Sequence, residues 1–102
     1  MAKDPEAVKI MQLRKLILEN MNRLYPTPVQ VGTLYRVMCG FDEHYDFTLY
    51  QKDIIYLKQK GYLLFVDEAI GGSLTFRDKV VGLTAEGKEI ADRTQTDSAL
   101  EI

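Results

Sequence analysis

From residue 5 to about residue 24, apolar side chains recur at helical spacing: Ala7, Ile10, Met11, Ile17, Leu18 and Met21 follow one stripe. Leu13, Leu16 and Leu24 widen it beyond one face. So broad an apolar surface predicts contact on two sides, deep in the core or across a dimer. The helix opens on Asp4-Pro5-Glu6: Asp can cap free N–H groups, Pro tolerates the first helical position, and Glu complements the positive end of the dipole.

"YPTPVQVGTLYRVMCG" breaks and restarts the chain, because each proline restricts the residue before it. Thr27-Pro28-Val29-Gln30 fits a capping box, and Val31, Leu34, Val37 and Met38 give the second helix an apolar face up to a stop at Gly40. A short strand over 28–31 ahead of the helix is the alternative reading. The polar loop "GFDEHYD" follows. Thr48-Leu49-Tyr50-Gln51 is a second capping box, opening a third helix through "FTLYQKDIIYLKQKGYL" to Gly61. Tyr50, Ile54 and Leu57 share the core side of that helix. Lys52, Ile55, Tyr56 and Gln59 are left to face outward together.

After Gly61 the period shortens. "YLLFVDEAI", a Gly71-Gly72 turn and "SLTFRDKVVGLT" read as a β-hairpin, since paired glycines supply the positive φ of a tight turn; its register stays open. Thr84 caps a last short helix, and the polar tail over 95–102 is expected to fray. The predicted order is helix, helix, helix, hairpin, helix, an α+β fold.

Composition adds bounds. With 102 residues, the chain is long enough for one domain that folds without staples. Cys39 is the single cysteine and His44 the single histidine, too few for an internal disulfide or a structural zinc site. A soluble, cytoplasmic protein is expected, for the first residues lack a signal-peptide pattern and no run approaches a membrane span. A net charge of −2 means that any nucleic-acid binding must use a local patch.

The helix ending in "YLKQKGYL", followed by a hairpin that exits through "LTAEGKEIAD" (83–92), resembles the winged-helix family, whose MarR-, PadR- and ArsR-like regulators share an LTxxG exit. The likeness covers roughly residues 7–94. The chain length and short tail also look like small winged-helix proteins of Mu-like phages and prophages. The resemblance implies a recognition helix at about 48–60 and a wing at about 68–77. It also implies DNA contacts from Thr48, Gln51, Lys52, Ile55, Tyr56 and Gln59, with Ser73, Thr75 and Arg77 from the wing. The implied role is a small DNA-binding transcriptional regulator, and a dimer formed through the broad apolar surface of the first helix would bind paired half-sites. Unlike most such readers, this helix carries Lys52, Lys58 and Lys60 and no arginine.

The chemistry available to those residues is specific. Amides such as Gln51 and Gln59 suit adenine in the major groove, Ile55 suits a thymine methyl, and Lys52 suits phosphate. Adjacent Ile55 and Tyr56 equally resemble the centre of a protein interface, so a protein–protein interaction module is the alternative. The acidic loop Asp42-Glu43-His44-Tyr45-Asp46 favours that alternative, because carboxylates beside a phosphate backbone repel it. Its spacing matches no calcium loop, and no metal or cofactor is implied. No nucleophile and base occur in a plausible pairing, so no enzymatic activity is expected.

Overall fold

The computed structural model describes residues 5–66 and 75–93. In chain order these form α1 (Pro5–Arg23), β1 (Val29–Gln30), α2 (Val31–Cys39), α3 (Phe47–Gln59), β2 (Leu63–Phe65), a 3-10 turn (Phe76–Asp78), β3 (Val80–Leu83) and α4 (Ala85–Ala91). The architecture is α+β, four helices and a three-stranded antiparallel sheet with strand order β1-β3-β2. Leu63, Leu64 and Phe65 pair with Leu83, Gly82 and Val81, while Val29 and Gln30 pair with Val81 and Val80 on the other edge of β3. Among the described residues no helix is long and apolar enough to cross a membrane.

Three helices supply the core by their periodicity. Ile17, Leu18 and Met21 from α1, Val31, Leu34 and Met38 from α2, and Tyr50, Ile54 and Leu57 from α3 close on one another. Leu63 and Val81 cover this cluster from the sheet, and Ile90 of α4 closes its end. Each such side chain, cut back to Ala, would cost about 2–5 kcal/mol. Asn20 is one of two buried polar residues among those described, with Asp53, and is satisfied by the Leu16 carbonyl at 2.9 Å and by the Met38 sulfur at 3.6 Å.

Two glycines hold the sheet to the helices. Gly61 has φ +84°, and the Tyr62 N–H donates to the Leu57 carbonyl while the Gly61 N–H donates to the Lys58 carbonyl, each at 3.0 Å. That pair of bonds ends α3 as a Schellman cap and turns the chain into β2. At Gly87 a Cβ would lie 2.2 Å from the Tyr62 carbonyl oxygen, so α4 approaches the start of β2 as only glycine allows. Thr84 links both, donating its hydroxyl to the Gly61 carbonyl at 2.6 Å and accepting the Gly87 N–H at 3.0 Å. The "LTAEG" stretch is thus a helix cap and a packing site together.

Several local expectations are corrected. Residues 27–30 are not a capping box: Val29 and Gln30 form β1, the Val31 N–H donates to the Lys79 carbonyl at 2.8 Å, and no side chain caps α2. Pairing with β3 outcompetes the local cap. Thr48 does not cap α3 either; Asp46 does, its carboxylate accepting the Thr48 N–H at 3.1 Å, and the helix starts at Phe47. The first two turns of α1 stand outside the core, leaving Ala7 and Ile10 exposed, and Leu24 and Val37 are exposed as well. Among the described residues the second arm of the hairpin is strand only over Val80–Leu83, and Phe76–Asp78 is a 3-10 turn against α2. Asp4, the Gly71-Gly72 turn, Ser73 and the tail lie outside the described residues.

Candidate functional site

α3 has three environments around its axis. Tyr50, Asp53, Ile54 and Leu57 are buried. Thr48, Lys52, Ile55 and Gln59 are exposed and centred on the opposite side. Gln51 and Lys58 are half-buried on the flank facing β2 and the 3-10 turn, whereas Leu49 and Tyr56 lie on the flank facing α1.

Tyr56 therefore does not join the outward set. Its ring lies under the Arg14 guanidinium at 3.7 Å and packs against the core. Arg14 is there because of Asp53, the single carboxylate on α3: Arg14 Nε donates to Asp53 Oδ1 at 2.9 Å, and the Tyr45 hydroxyl donates to Asp53 Oδ2. The Asp53 side chain is only 5% exposed and that of Arg14 21%. Burial first, and then the bond to Asp53, raises the Tyr45 hydroxyl above its ordinary pKa. Burial also raises Tyr50, whose hydroxyl donates to the Val31 carbonyl at 2.7 Å. Asp53 was not singled out from the sequence, although its place on the core stripe with Tyr50, Ile54 and Leu57 is a signal for a buried ion pair. Its partner, 39 residues earlier, left no local trace.

The other flank is built from stacked aromatics. Tyr35 and Phe47 meet edge to face at 5.0 Å, Phe47 and Phe76 at 6.3 Å, and Phe76 and Phe65 at 5.9 Å. Cations lie over this row. Arg77 is 4.0 Å from the Phe47 ring centre and 5.5 Å from that of Tyr35, and Lys58 and Lys79 each sit 5.1 Å from Phe65. Such contacts are worth about 0.5–1 kcal/mol each at exposed sites and hold flexible cations in place. Arg77 makes no ion pair among the described residues. Beside it Arg36, Gln30 and Thr33 line a polar cleft of about 160 Å³. Asp78 also borders this cleft, held by the Thr75 hydroxyl at 2.8 Å. Arg36, Lys79 and the aromatic row were not singled out from the sequence, because a T-shaped row assembled from four elements has no periodic signature.

Asp42 and His44 of the acidic loop border the cleft that Lys52 of α3 also lines. Asp42 pairs with Lys9 of α1 at 3.0 Å, and this bond, with the His44 N–H, holds its carboxyl below the ordinary carboxylate range. Asp46 is occupied in the α3 cap, and Glu43 and His44 extend into solvent, 3.4 Å apart. No group of three or more His, Cys, Asp or Glu side chains is placed to hold a metal ion among the described residues.

The structure thus brings Thr48, Lys52, Ile55 and Gln59 together, sets Gln51 beside them and Arg77 across the Phe47 ring, and removes Tyr56. Thr75 is exposed and spends its hydroxyl on Asp78. Comparison with protein-family models, with curated proteins and with solved structures found no match.

Proposed function

We propose that the chain is a winged-helix DNA-binding protein that inserts α3 into the major groove and rests the cationic aromatic row on the adjacent backbone. One observation carries the reading: the only carboxylate on α3 is buried on Arg14, so its exposed face offers lysine, amide, hydroxyl and one aliphatic group with no acid among them. A helix about 10–12 Å across suits a groove about 12 Å wide. The order α1-β1-α2-α3-β2-β3-α4 and the β1-β3-β2 sheet agree with a winged helix, and among the described residues Thr48, Lys52, Ile55 and Gln59 of α3 are exposed. In this role Lys52, Lys58, Arg77 and Lys79 hold phosphates, while Gln59, Thr48 and Ile55 meet base edges. The cellular role is transcriptional regulation in the cytoplasm, by a dimer on paired half-sites.

The test is titration of the protein onto random duplex DNA at low and at moderate salt. Micromolar or tighter binding that weakens steeply with salt is expected. No binding at low salt sinks the reading. The second reading, a protein-interaction module of phage or prophage type, is favoured by Leu49 and Ile55, 48% and 37% exposed on α3. It predicts no DNA binding at any salt, and loss of a protein partner on Ile55→Asp.

A further inference from the structure

A cleft of about 450 Å³ runs between α1, the loop before α3 and the first turns of α3. That volume is in the ordinary range for small-molecule sites. Ile10, Leu13 and Leu49 give it an aliphatic wall beside the buried Tyr45, and two of these aliphatic residues are well exposed, Ile10 at 37% and Leu49 at 48%. Three carboxylates also line it. Asp42 is engaged by Lys9, Asp53 by Arg14 and Tyr45, and Glu6 likewise has a partner.

Two sets of donors remain. Lys52 lines the cleft, and its ammonium makes no hydrogen bond or ion pair with any described residue. Arg14 spends only its Nε on Asp53, and its terminal nitrogens make no further hydrogen bond among the described residues. A cationic ligand would meet carboxylates already satisfied. A dianion would set its second charge against the aliphatic wall or against Glu6 and Asp42.

We propose that this cleft binds a short aliphatic monocarboxylate, its carboxylate on Lys52 and the Arg14 terminal nitrogens and its alkyl chain on Ile10, Leu13 and Leu49. Lys52 also belongs to the face assigned to DNA, so ligand and phosphate compete for one ammonium, and by linkage each weakens the other. The competition rests on the DNA-binding reading, whereas the ligand site itself does not.

The experiment titrates sodium hexanoate into the ¹⁵N-labelled full chain without DNA, with hexylamine and 1-hexanol as charge controls. Saturable shifts confined to the amides around Ile10, Arg14, Leu49 and Lys52 are expected, with either control at least about tenfold weaker. Shifts that do not saturate, that scatter over the surface or that follow hexylamine equally overturn the proposal. Ile10→Glu sets a carboxylate on the apolar wall at an exposed position outside the DNA face, and should weaken hexanoate at least about tenfold in a chain still folded by circular dichroism. Leu49→Glu is the second variant with the same expectation. A folded variant of either kind that binds hexanoate as before also overturns it. The duplex titration is then repeated at saturating hexanoate. A loss of DNA affinity of about fivefold or more supports the shared Lys52, and an unchanged affinity overturns the competition. If duplex is not bound at all, the DNA reading fails while the hexanoate result stands by itself.

Discussion

On the α1 side of α3, Arg14 is held between the Asp53 carboxylate and the Tyr56 ring, largely out of water. On the other side Arg77 lies exposed over Phe47 and Tyr35, without a carboxylate partner among the described residues. Both are arginines stacked on aromatic rings, yet the first is tied through Nε to a buried carboxylate and the second has no carboxylate partner among the described residues. A buried charge must be paired, because desolvation costs several kcal/mol, so Asp53 is spent on structure. An exposed cation on a ring keeps its solvation and remains available to an outside anion. The same helix therefore has one flank that fixes its orientation and one that presents charge.

The largest effect should come from breaking the buried side. Asp53→Ala leaves Arg14 unpaired and the Tyr45 hydroxyl without its acceptor, which is expected to cost about 3 kcal/mol in urea unfolding. Replacing the triad together, Arg14→Met with Asp53→Leu and Tyr45→Phe, should restore most of that stability. A single Asp53→Ala that unfolds at the wild-type midpoint would show that the pair does not orient α3.

Reversing charge on the presented side should leave folding alone. Lys52→Glu with Arg77→Glu is expected to shift stability by less than about 0.5 kcal/mol and to reduce duplex affinity by about a hundredfold in fluorescence anisotropy. Equal losses of stability and affinity would erase the distinction between the flanks.

Neighbouring residues divide the same way. Tyr56→Ala removes the ring beneath Arg14 and should cost about 1–2 kcal/mol, whereas Ile55→Asp, one position along, should change thermal stability by less than about 0.5 kcal/mol. The reverse order in melting experiments would place Tyr56, not Ile55, on the outer face.

The smallest effect concerns alkali. Burial raises the Tyr45 and Tyr50 hydroxyls above the ordinary tyrosine value of 10.0, the bond to Asp53 adding to the rise at Tyr45. A raised native pKa means that the folded chain keeps a proton that the unfolded chain releases. This stability is present in full below about pH 10 and is lost as pH rises toward the native value. Tyr45→Phe should flatten part of that decline. Urea midpoints measured from about pH 8 to about pH 11 check it, and an unchanged slope would contradict the role of Tyr45.

Much of the fold was legible because its signals are local. The spacing of Ile17, Leu18 and Met21, the stop at Gly61 and the cap at Thr84 each follow from a few neighbouring residues. What was not legible depends on distant partners. The strand at Val29–Gln30 was legible only as an alternative over 28–31, because what decides it is pairing with β3, some 50 residues on. Thr48 was read as the cap of the third helix, but the helix begins one residue earlier and Asp46 takes that place. The presented face was half legible: Lys52, Ile55 and Gln59 follow from helical spacing, but Tyr56 sits on the boundary of that face, and only Arg14 decides which way it belongs. Arg77 was singled out, but its platform of Phe47 and Tyr35 comes from two other elements.

Whether α3 and the aromatic row form the proposed phosphate-binding surface is read from the salt dependence of duplex binding. With phosphates held by Lys52, Lys58, Arg77 and Lys79, a plot of log affinity against log salt should fall with a slope of about −3 to −4 for each bound chain. A slope near zero, or no binding at the lowest salt, would contradict the account and leave α3 as a surface for another protein.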